Sequence, residues 1–298
     1  MIYDPPMSVL LYGGPGVGKS ATALLAFWDW KKKVQTANGR WITFGRENNP
    51  ALNVPPELRV VGSGDNALSL RFAQPSLDSF DWLDRFEDVV DGLLLEAEKG
   101  NCLDALVVDG MSEFDLLFES CFQQVKGGAD KWDKWDELLN RMFAAMTRLD
   151  HEALNCVIIV TARVMEKKKS KQSGTSRIAG DPNFIDFDYY PSLRGSFRLH
   201  FPHYFNLVSY METRLMLVTD GEFIGQRLPA HVMNMVRTGE FYVKNQWEYD
   251  WMIAGEELEI INPSFPDVHR RLVQVASRGS ATKEIEGQLV TEVLGGVS

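Results

Sequence analysis

The residues best suited to chemistry lie near the start of the chain, in the run Gly13-Gly14-Pro15-Gly16-Val17-Gly18-Lys19-Ser20. This run fits a phosphate-binding pattern in which two glycines, separated by four residues, precede Lys and Ser. The glycines let successive backbone N–H groups turn toward phosphate oxygens without a side chain in the way. We expect Lys19 to reach the outer phosphates, Ser20 to bind Mg²⁺, and Ala21 to lie beside the bound nucleotide. The alternative is a glycine-rich turn with no ligand.

The segments on either side of this loop favour the ligand-binding interpretation. Ser8 to Tyr12 is apolar and strand-like, and Ala21 to Trp30 is apolar and helix-forming. The predicted helix runs from Ser20 to roughly Lys33, where three lysines suit its carboxyl end. Strand, loop and helix therefore follow each other in the order that a phosphate-binding loop requires.

Two later strands are predicted to end in polar residues near this loop. Leu103 to Val108 forms an apolar run before Asp109, and Cys156 to Val160 forms another before Thr161. Ligands of open α/β sheets bind outside the carboxyl ends of the strands. Asp109 is therefore a candidate Mg²⁺ ligand, directly or through water, although it could instead cap the next helix. Thr161 could sense the terminal phosphate or orient a water, or its hydroxyl could simply be satisfied by its neighbours.

Hydrolysis also needs a group that orients water in line with the terminal phosphate. The residue after Asp109 is Gly110, so a base must come from elsewhere. Glu47, just beyond the predicted strand Trp41 to Phe44, is the first candidate and Glu113 is the second. Glu47 could also be a surface residue paired with Arg46.

The overall pattern predicts an α/β fold with a mostly parallel central sheet flanked by helices, and with antiparallel hairpins toward the carboxyl end. Predicted helices cover Phe80 to Lys99 and the apolar stripe from Trp135 to Leu149. The later predicted strands are Leu207 to Met211, Leu215 to Val218, Glu222 to Leu228, Val232 to Val236 and Phe241 to Val243. We expect a core over residues 1–250 and a carboxyl-terminal appendage, partly helical or flexible, over residues 251–298.

Composition limits the classes of function. The chain has 298 residues, 45% of them hydrophobic, and a formal net charge of −10, so its surface as a whole repels nucleic acid. Any contact with DNA must use local basic segments such as Glu166 to Arg177. Three dispersed cysteines suit a reducing cytoplasm, and no run predicts a signal or a membrane span.

The order of these motifs resembles the RecA-type P-loop ATPase core over roughly residues 7 to 250. It is most similar to the short phage nucleotide-binding proteins of that superfamily, which include single-strand annealing recombinases. The segments that carry the resemblance, besides the glycine loop, are Gly45-Arg46-Glu47-Asn48, Leu106-Val107-Val108-Asp109-Gly110, Val160-Thr161-Ala162-Arg163 and Val243-Lys244-Asn245.

The resemblance implies ATP and Mg²⁺ as cofactors and assigns a role to each motif. Glu47 would be the catalytic base, Asp109 the magnesium residue and Thr161 the occupant of the sensor position. The segment from Arg163 to Arg194 would be a DNA-contacting loop. The superfamily forms rings or filaments in which a cation of one subunit completes the site of the next, and Lys244, with Arg237 as a neighbouring option, would supply that cation.

The leading hypothesis is an ATPase that acts on single-stranded DNA in phage-type recombination or strand annealing. The alternative is a nucleotide-regulated assembly or packaging factor that binds protein partners and not DNA. A third hypothesis, a small-molecule kinase, would use the basic segment as a lid over the phosphates.

Overall fold

The computed structural model describes residues 3–29, 34–44, 69–72, 81–113, 131–166, 189–193, 200–237 and 241–278. In chain order, the strands are β1 (Ser8–Gly13), β2 (Trp28–Asp29), β3 (Val34–Gln35), β4 (Gly39–Phe44), β5 (Ser69–Phe72), β6 (Ala105–Asp109), β7 (Val157–Glu166), β8 (Tyr189–Pro191), β9 (Leu207–Leu217), β10 (Arg227–Asn234), β11 (Lys244–Asn245) and β12 (Glu259–Ile261). The helices are α1 (Lys19–Leu24), α2 (Asp81–Glu98), α3 (Lys131–Thr147), α4 (His151–Leu154), α5 (Glu248–Ile253) and α6 (265–278), with a 3₁₀ helix at Phe201–Tyr204. A further helical segment is described over residues 111–113.

One large sheet organises the described residues. Its strands lie in the order β12-β10-β9-β1-β7-β6-β4-β5, while β11 pairs with β9 and β8 pairs with β7. From β9 to β5 the neighbouring strands along this path are parallel, whereas β10 and β12 are antiparallel to their neighbours. The predicted α/β class, mostly parallel with antiparallel strands toward the carboxyl end, is therefore confirmed.

The central strands are apolar throughout because both faces of the sheet are covered. Leu10 and Tyr12 of β1 face the core that α2 and α3 cover, and the alternate residues Val9 and Leu11 face the core that α1 and α6 cover. All six residues of β1 and all five of β6 are buried. A strand covered on both faces has this continuous apolar sequence, which is why β1, β6 and the start of β7 could be recognised.

The predicted helix after the glycine loop is too long. Helix α1 ends at Leu24, and the chain then turns into β2, while residues 30–33 lie outside the described part. Packing overrides helix propensity here: the buried Phe27 ring fills the space beside Gly39, where a Cβ atom would lie 1.7 Å from it. Phe27 also contacts Trp41 of β4, and the segment after it pairs with β3 in a separate two-stranded sheet instead of extending the helix.

The prediction of several short strands near the carboxyl end was wrong, because the structure has fewer and longer strands there. Leu207 to Leu217 is one strand, and β10 begins at Arg227, after a turn in which Gly221 has a φ of 84°. The polar residues between the two strands predicted at Leu207 to Met211 and Leu215 to Val218 lie within β9, and Arg214 among them forms ion pairs. Arg214 contacts Glu212 and lies 2.6 Å from Glu259 of β12.

Most of the remaining predicted helices and strands are present, but some have different bounds. Helices α2 and α3 and strands β4 and β6 confirm their predictions. Strand β7 continues past Thr161 to Glu166, because its last three residues pair with β8. Phe241 makes a single bridge to Tyr189, and the strand nearby is β11.

Residues 251–278 pack on one of the two cores of the preceding chain, the one that α1 also covers. Strand β12 pairs with β10, and α6 buries Phe265, Val268 and Leu272 against the face of the sheet that α1 also covers. The boundary at residue 250 stays a prediction. Among the described helices, none combines the length and the apolar sequence needed to cross a membrane.

Candidate active site

The glycine loop follows β1 directly, and its backbone accounts for its glycines. Gly16 and Gly18 have φ angles of 75° and 90°, a region that L side chains rarely adopt. A Cβ atom on Gly13 would lie 2.2 Å from the carbonyl oxygen of Met211, which belongs to the neighbouring β9. A turn with these left-handed positions forms a concave set of backbone N–H groups that suits an anion. The structure therefore has, where the sequence predicts a phosphate-binding loop, a turn whose backbone shape suits one.

Lys19 lies over this loop. Its Nζ atom donates hydrogen bonds to the carbonyl oxygens of Gly13 and Gly14, at 3.0 and 2.6 Å. These bonds hold a positive charge beside the N–H groups of the loop. A phosphate at this position would meet both, which is the arrangement that neutralises an anion most strongly.

Ser20 and Asp109 come together from different parts of the chain. The Ser20 Oγ atom lies 3.1 Å from both carboxylate oxygens of Asp109, which ends β6 and is only 3% exposed. A hydroxyl and a carboxylate are the hard oxygen ligands that Mg²⁺ prefers. The two residues predicted as metal ligands are thus adjacent, and their donor set fits Mg²⁺.

Thr161 contacts the same carboxylate from β7, the strand between β6 and β1. Its hydroxyl donates a hydrogen bond to Asp109 and accepts one of 3.0 Å from the backbone N–H of Gly110. Thr161 is 2% exposed. The hydroxyl therefore fixes the position of Asp109 relative to Ser20, whereas its predicted role as a phosphate sensor stays a prediction.

Comparison with protein families identifies the class of this site. The family model described as an AAA domain matches residues 5–247, which include the glycine loop, Asp109 and Thr161. The chain belongs to the AAA domain family. It is therefore an ATPase-type P-loop domain. No curated protein sequence matches it significantly.

Two solved structures are similar to this AAA domain over most of its length. The flagellar accessory protein FlaH from Methanocaldococcus jannaschii is 11% identical, with 87% of each chain covered and a TM-score of 0.36. A KaiC-like protein from the archaeon Pyrococcus horikoshii OT3 is 13% identical, with 76% of this chain and 78% of that chain covered and a TM-score of 0.34.

Of the two candidate bases of the AAA domain, the structure describes only Glu113. Glu47 lies outside the described residues. Glu113 forms an ion pair of 2.5 Å with Arg163 of β7, and the backbone N–H of Arg163 donates to Ser112 at 2.9 Å. Glu113 would have to leave this ion pair before it could orient a water, and the choice between the two bases stays a prediction.

The two candidate cations lie away from the glycine loop of their own chain. Lys244 pairs with Val208 near the beginning of β9, and its Nζ donates to the carbonyl oxygen of His203 at 2.8 Å. Partial burial lowers the pKa of Lys244. Arg237 lies 3.4 Å from Glu248 in an ion pair. Both residues are thus engaged in contacts elsewhere in their own chain, and a role in the site of a neighbouring subunit stays a prediction.

Tyr12 anchors the strand that carries the loop. It is buried directly before Gly13, and its hydroxyl donates to the carbonyl oxygen of Tyr242 at 2.9 Å. Burial, reinforced by Tyr210, raises the pKa of Tyr12, which therefore stays protonated. No local pattern in the sequence marks this hydrogen bond, because it joins distant segments.

His231 was also missed by the sequence analysis. It lies on β10, and a Cβ atom on Gly18 would be only 2.7 Å from its ring. Its partner in the sheet register is Thr213 of β9. No local motif marks this residue, because only the pairing of β10 with β9 brings it to the glycine loop.

Proposed function

We propose that this AAA domain binds ATP with Mg²⁺ and hydrolyses it. The observation that carries the proposal is the 3.1 Å contact of Ser20 with Asp109 beside a loop that already holds Lys19. The loop residues predicted to hold the nucleotide are Gly13, Gly14, Pro15, Gly16, Val17, Gly18, Lys19, Ser20 and Ala21. When bound, Mg²⁺ would neutralise charge on the outer phosphates.

The remaining functions, which are binding the phosphates, holding the metal and orienting the water, are assigned to residues of this chain. The loop and Lys19 would bind and orient the phosphates, and Ser20 and Asp109 would hold the metal. Thr161 would act as a positioning residue by keeping the buried Asp109 carboxylate directed at Ser20. Glu47 is proposed as the group that orients the attacking water, and Glu113 is the alternative. Lys244 or Arg237 would supply a cation to the site of a neighbouring subunit in a ring or filament.

We further propose that the ATPase acts on single-stranded DNA in phage-type recombination or strand annealing. Support comes from the course of β7, which runs from Thr161 beside Asp109 to Glu166. Lys167, Lys168 and Lys169 follow immediately in the sequence. DNA held by this basic segment would be connected to the metal-binding carboxylate through a single strand. Such binding would be largely electrostatic and would weaken steeply with salt.

The first experiment measures ATP hydrolysis with and without single-stranded DNA, at low and at moderate salt. We expect stimulation that fades with salt, and we expect Lys19→Ala to abolish nucleotide binding or turnover. Replacing Lys167, Lys168 and Lys169 by Ala should remove the stimulation. The matched control replaces Lys31, Lys32 and Lys33, which changes the net charge by the same amount elsewhere.

Each part of the proposal can fail separately. Unchanged hydrolysis in Lys19→Ala would refute the P-loop ATPase. Equal effects of the two lysine replacements would refute the basic segment as the DNA contact. ATP-dependent oligomerisation that ignores oligonucleotides would favour the assembly or packaging factor instead.

The same assay separates the candidate bases. Glu47→Gln should leave ATP bound but slow its cleavage at least a hundredfold, a loss of about 2.7 kcal/mol or more in transition-state stabilisation. If Glu113→Gln stops turnover and Glu47→Gln does not, Glu47 is not the base.

A further inference from the structure

The hairpin formed by β9 and β10 rises beside the glycine loop. Met211 is level with Gly13 in the sheet register, and β9 continues beyond it to Leu217. At about 3.3 Å per residue, Thr213 lies roughly 7 Å beyond Gly13 and Leu215 roughly 13 Å beyond it. The hairpin therefore extends past the edge of the sheet at which the phosphates are expected to bind.

One face of this hairpin continues the face of the sheet that α1 covers. Met211 packs in the same core as α1, and side chains two residues apart on a strand share a face. Thr213 and Leu215 therefore lie on the face that leads away from α1, opposite their register partners His231 and Pro229. The hydroxyl of Thr213 lies 3.4 Å from the His231 Nδ1 atom.

This face carries apolar surface that the described chain leaves uncovered. Leu215 is 67% exposed, and its partner Pro229 is exposed as well. His231 closes the gap between this surface and the loop, because its ring lies against Gly18. The polar pair Thr213 and His231 thus lies next to the loop, and the apolar pair Leu215 and Pro229 lies farther from it.

The proposed metal ligands fix the direction in which a nucleotide would lie. Asp109 and Thr161 belong to β6 and β7, on one side of β1, whereas the hairpin lies on the other side. When bound, Mg²⁺ would be held by Ser20 and Asp109 and would neutralise the outer phosphates. The opposite end of the nucleotide, the nucleoside, would then lie toward the hairpin.

We propose that this hairpin face is the nucleoside-binding wall of the site, an inference that rests on the proposed nucleotide binding. Thr213 and His231 contact the ribose, and Leu215 and Pro229 pack against the flat face of the base. Ligand sites of this kind combine apolar walls with a few polar groups that set orientation. The hairpin would thus be part of the nucleotide site and not only an edge of the sheet.

The test compares two ligands that share the phosphates and differ in the nucleoside. Binding of Mg²⁺–ATP and of Mg²⁺–tripolyphosphate is measured by calorimetry for the full chain and its variants. We expect Leu215→Ser to weaken ATP binding about tenfold or more and to change tripolyphosphate binding by less than about twofold. His231→Ala should act in the same direction.

The matched control is Leu228→Ser on the same hairpin. Leu228 is 38% exposed, and its register partner is Met216, so it occupies the opposite face from Leu215. It should leave the binding of both ligands unchanged. Thermal melts check that each variant is folded, which is expected because Leu215 is largely exposed.

The outcomes separate this inference from the proposed function. If wild type binds ATP through Lys19 but Leu215→Ser and Leu228→Ser behave alike, the nucleoside wall is refuted and nucleotide binding stands. A loss of self-association in Leu215→Ser with unchanged ATP binding would refute it too, and would assign the face to a second copy of the chain. If wild type binds neither ligand, the proposed function fails, and the wall fails with it.

Discussion

The hydroxyl of Thr161 makes a buried connection between two strands, and its removal has a calculable cost. Val has nearly the same shape, so Thr161→Val deletes the hydrogen bonds to Asp109 and Gly110 with little change in packing. A buried N–H left unsatisfied costs about 1–3 kcal/mol, and a hydrogen bond to a charged group contributes about 1.5–3 kcal/mol. Because the two losses share one site and are not additive, we expect the free energy of unfolding to fall by about 2–4 kcal/mol.

Urea denaturation followed by circular dichroism measures this loss directly. The slope with denaturant should stay constant, since the surface exposed on unfolding hardly changes. Thr161→Ser is the control: it keeps the hydroxyl and loses one methyl group, for about 1 kcal/mol. A Val variant within about 0.5 kcal/mol of the Ser variant would refute the reasoning, because the hydroxyl would then contribute nothing.

Three other residues give further tests. Gly13→Ala should weaken nucleotide binding and lower the melting temperature far more than Gly14→Ala, because a Cβ at Gly13 would lie 2.2 Å from a backbone oxygen, whereas one at Gly14 would meet only the Val17 side chain, at 3.7 Å; equal effects on melting and binding would contradict this. Burial lowers the pKa of His269 below its ordinary 6.5, so the unfolded chain binds the extra proton first and the free energy of unfolding should fall as pH drops through 6.5. His269→Gln should flatten that part of a urea-denaturation pH series, and an unchanged slope would argue against it. Burial raises the pKa of Cys156 to about 12, so iodoacetamide at pH 8 should leave this thiol unmodified until the protein unfolds, as peptide mass spectrometry can check.

The phosphate-binding half of the site could be predicted because its requirements are local. Gly16 and Gly18 satisfy the backbone of their own loop, and Lys19 and Ser20 follow in fixed positions. Asp109 could be recognised because it ends an apolar run, which a strand buried on both faces produces. Its contact with Ser20 follows from the shared edge of a parallel sheet.

Propensity failed where long-range packing decided the structure. The segment after Leu24 has a helical sequence, yet Phe27 turns it toward β4 because Gly39 leaves room for the ring. A gap was predicted between Met211 and Leu215, yet β9 continues through it, and Glu259 of β12 pairs with Arg214 there. In both cases the deciding partner is remote in sequence, so no local window contains the information.

The same distinction separates the two ends of the proposed nucleotide site. Phosphates are recognised by backbone groups of one loop, which a short motif can encode. The nucleoside end depends on the register of β9 with β10, which brings His231 beside Thr213 and Leu215 opposite Pro229. A one-residue slip in that register would turn these side chains to the other face of the hairpin. If the proposed nucleoside wall is correct, base recognition would depend on the length and pairing of the hairpin, whereas phosphate binding would depend on residues 13–20 and the Asp109 carboxylate.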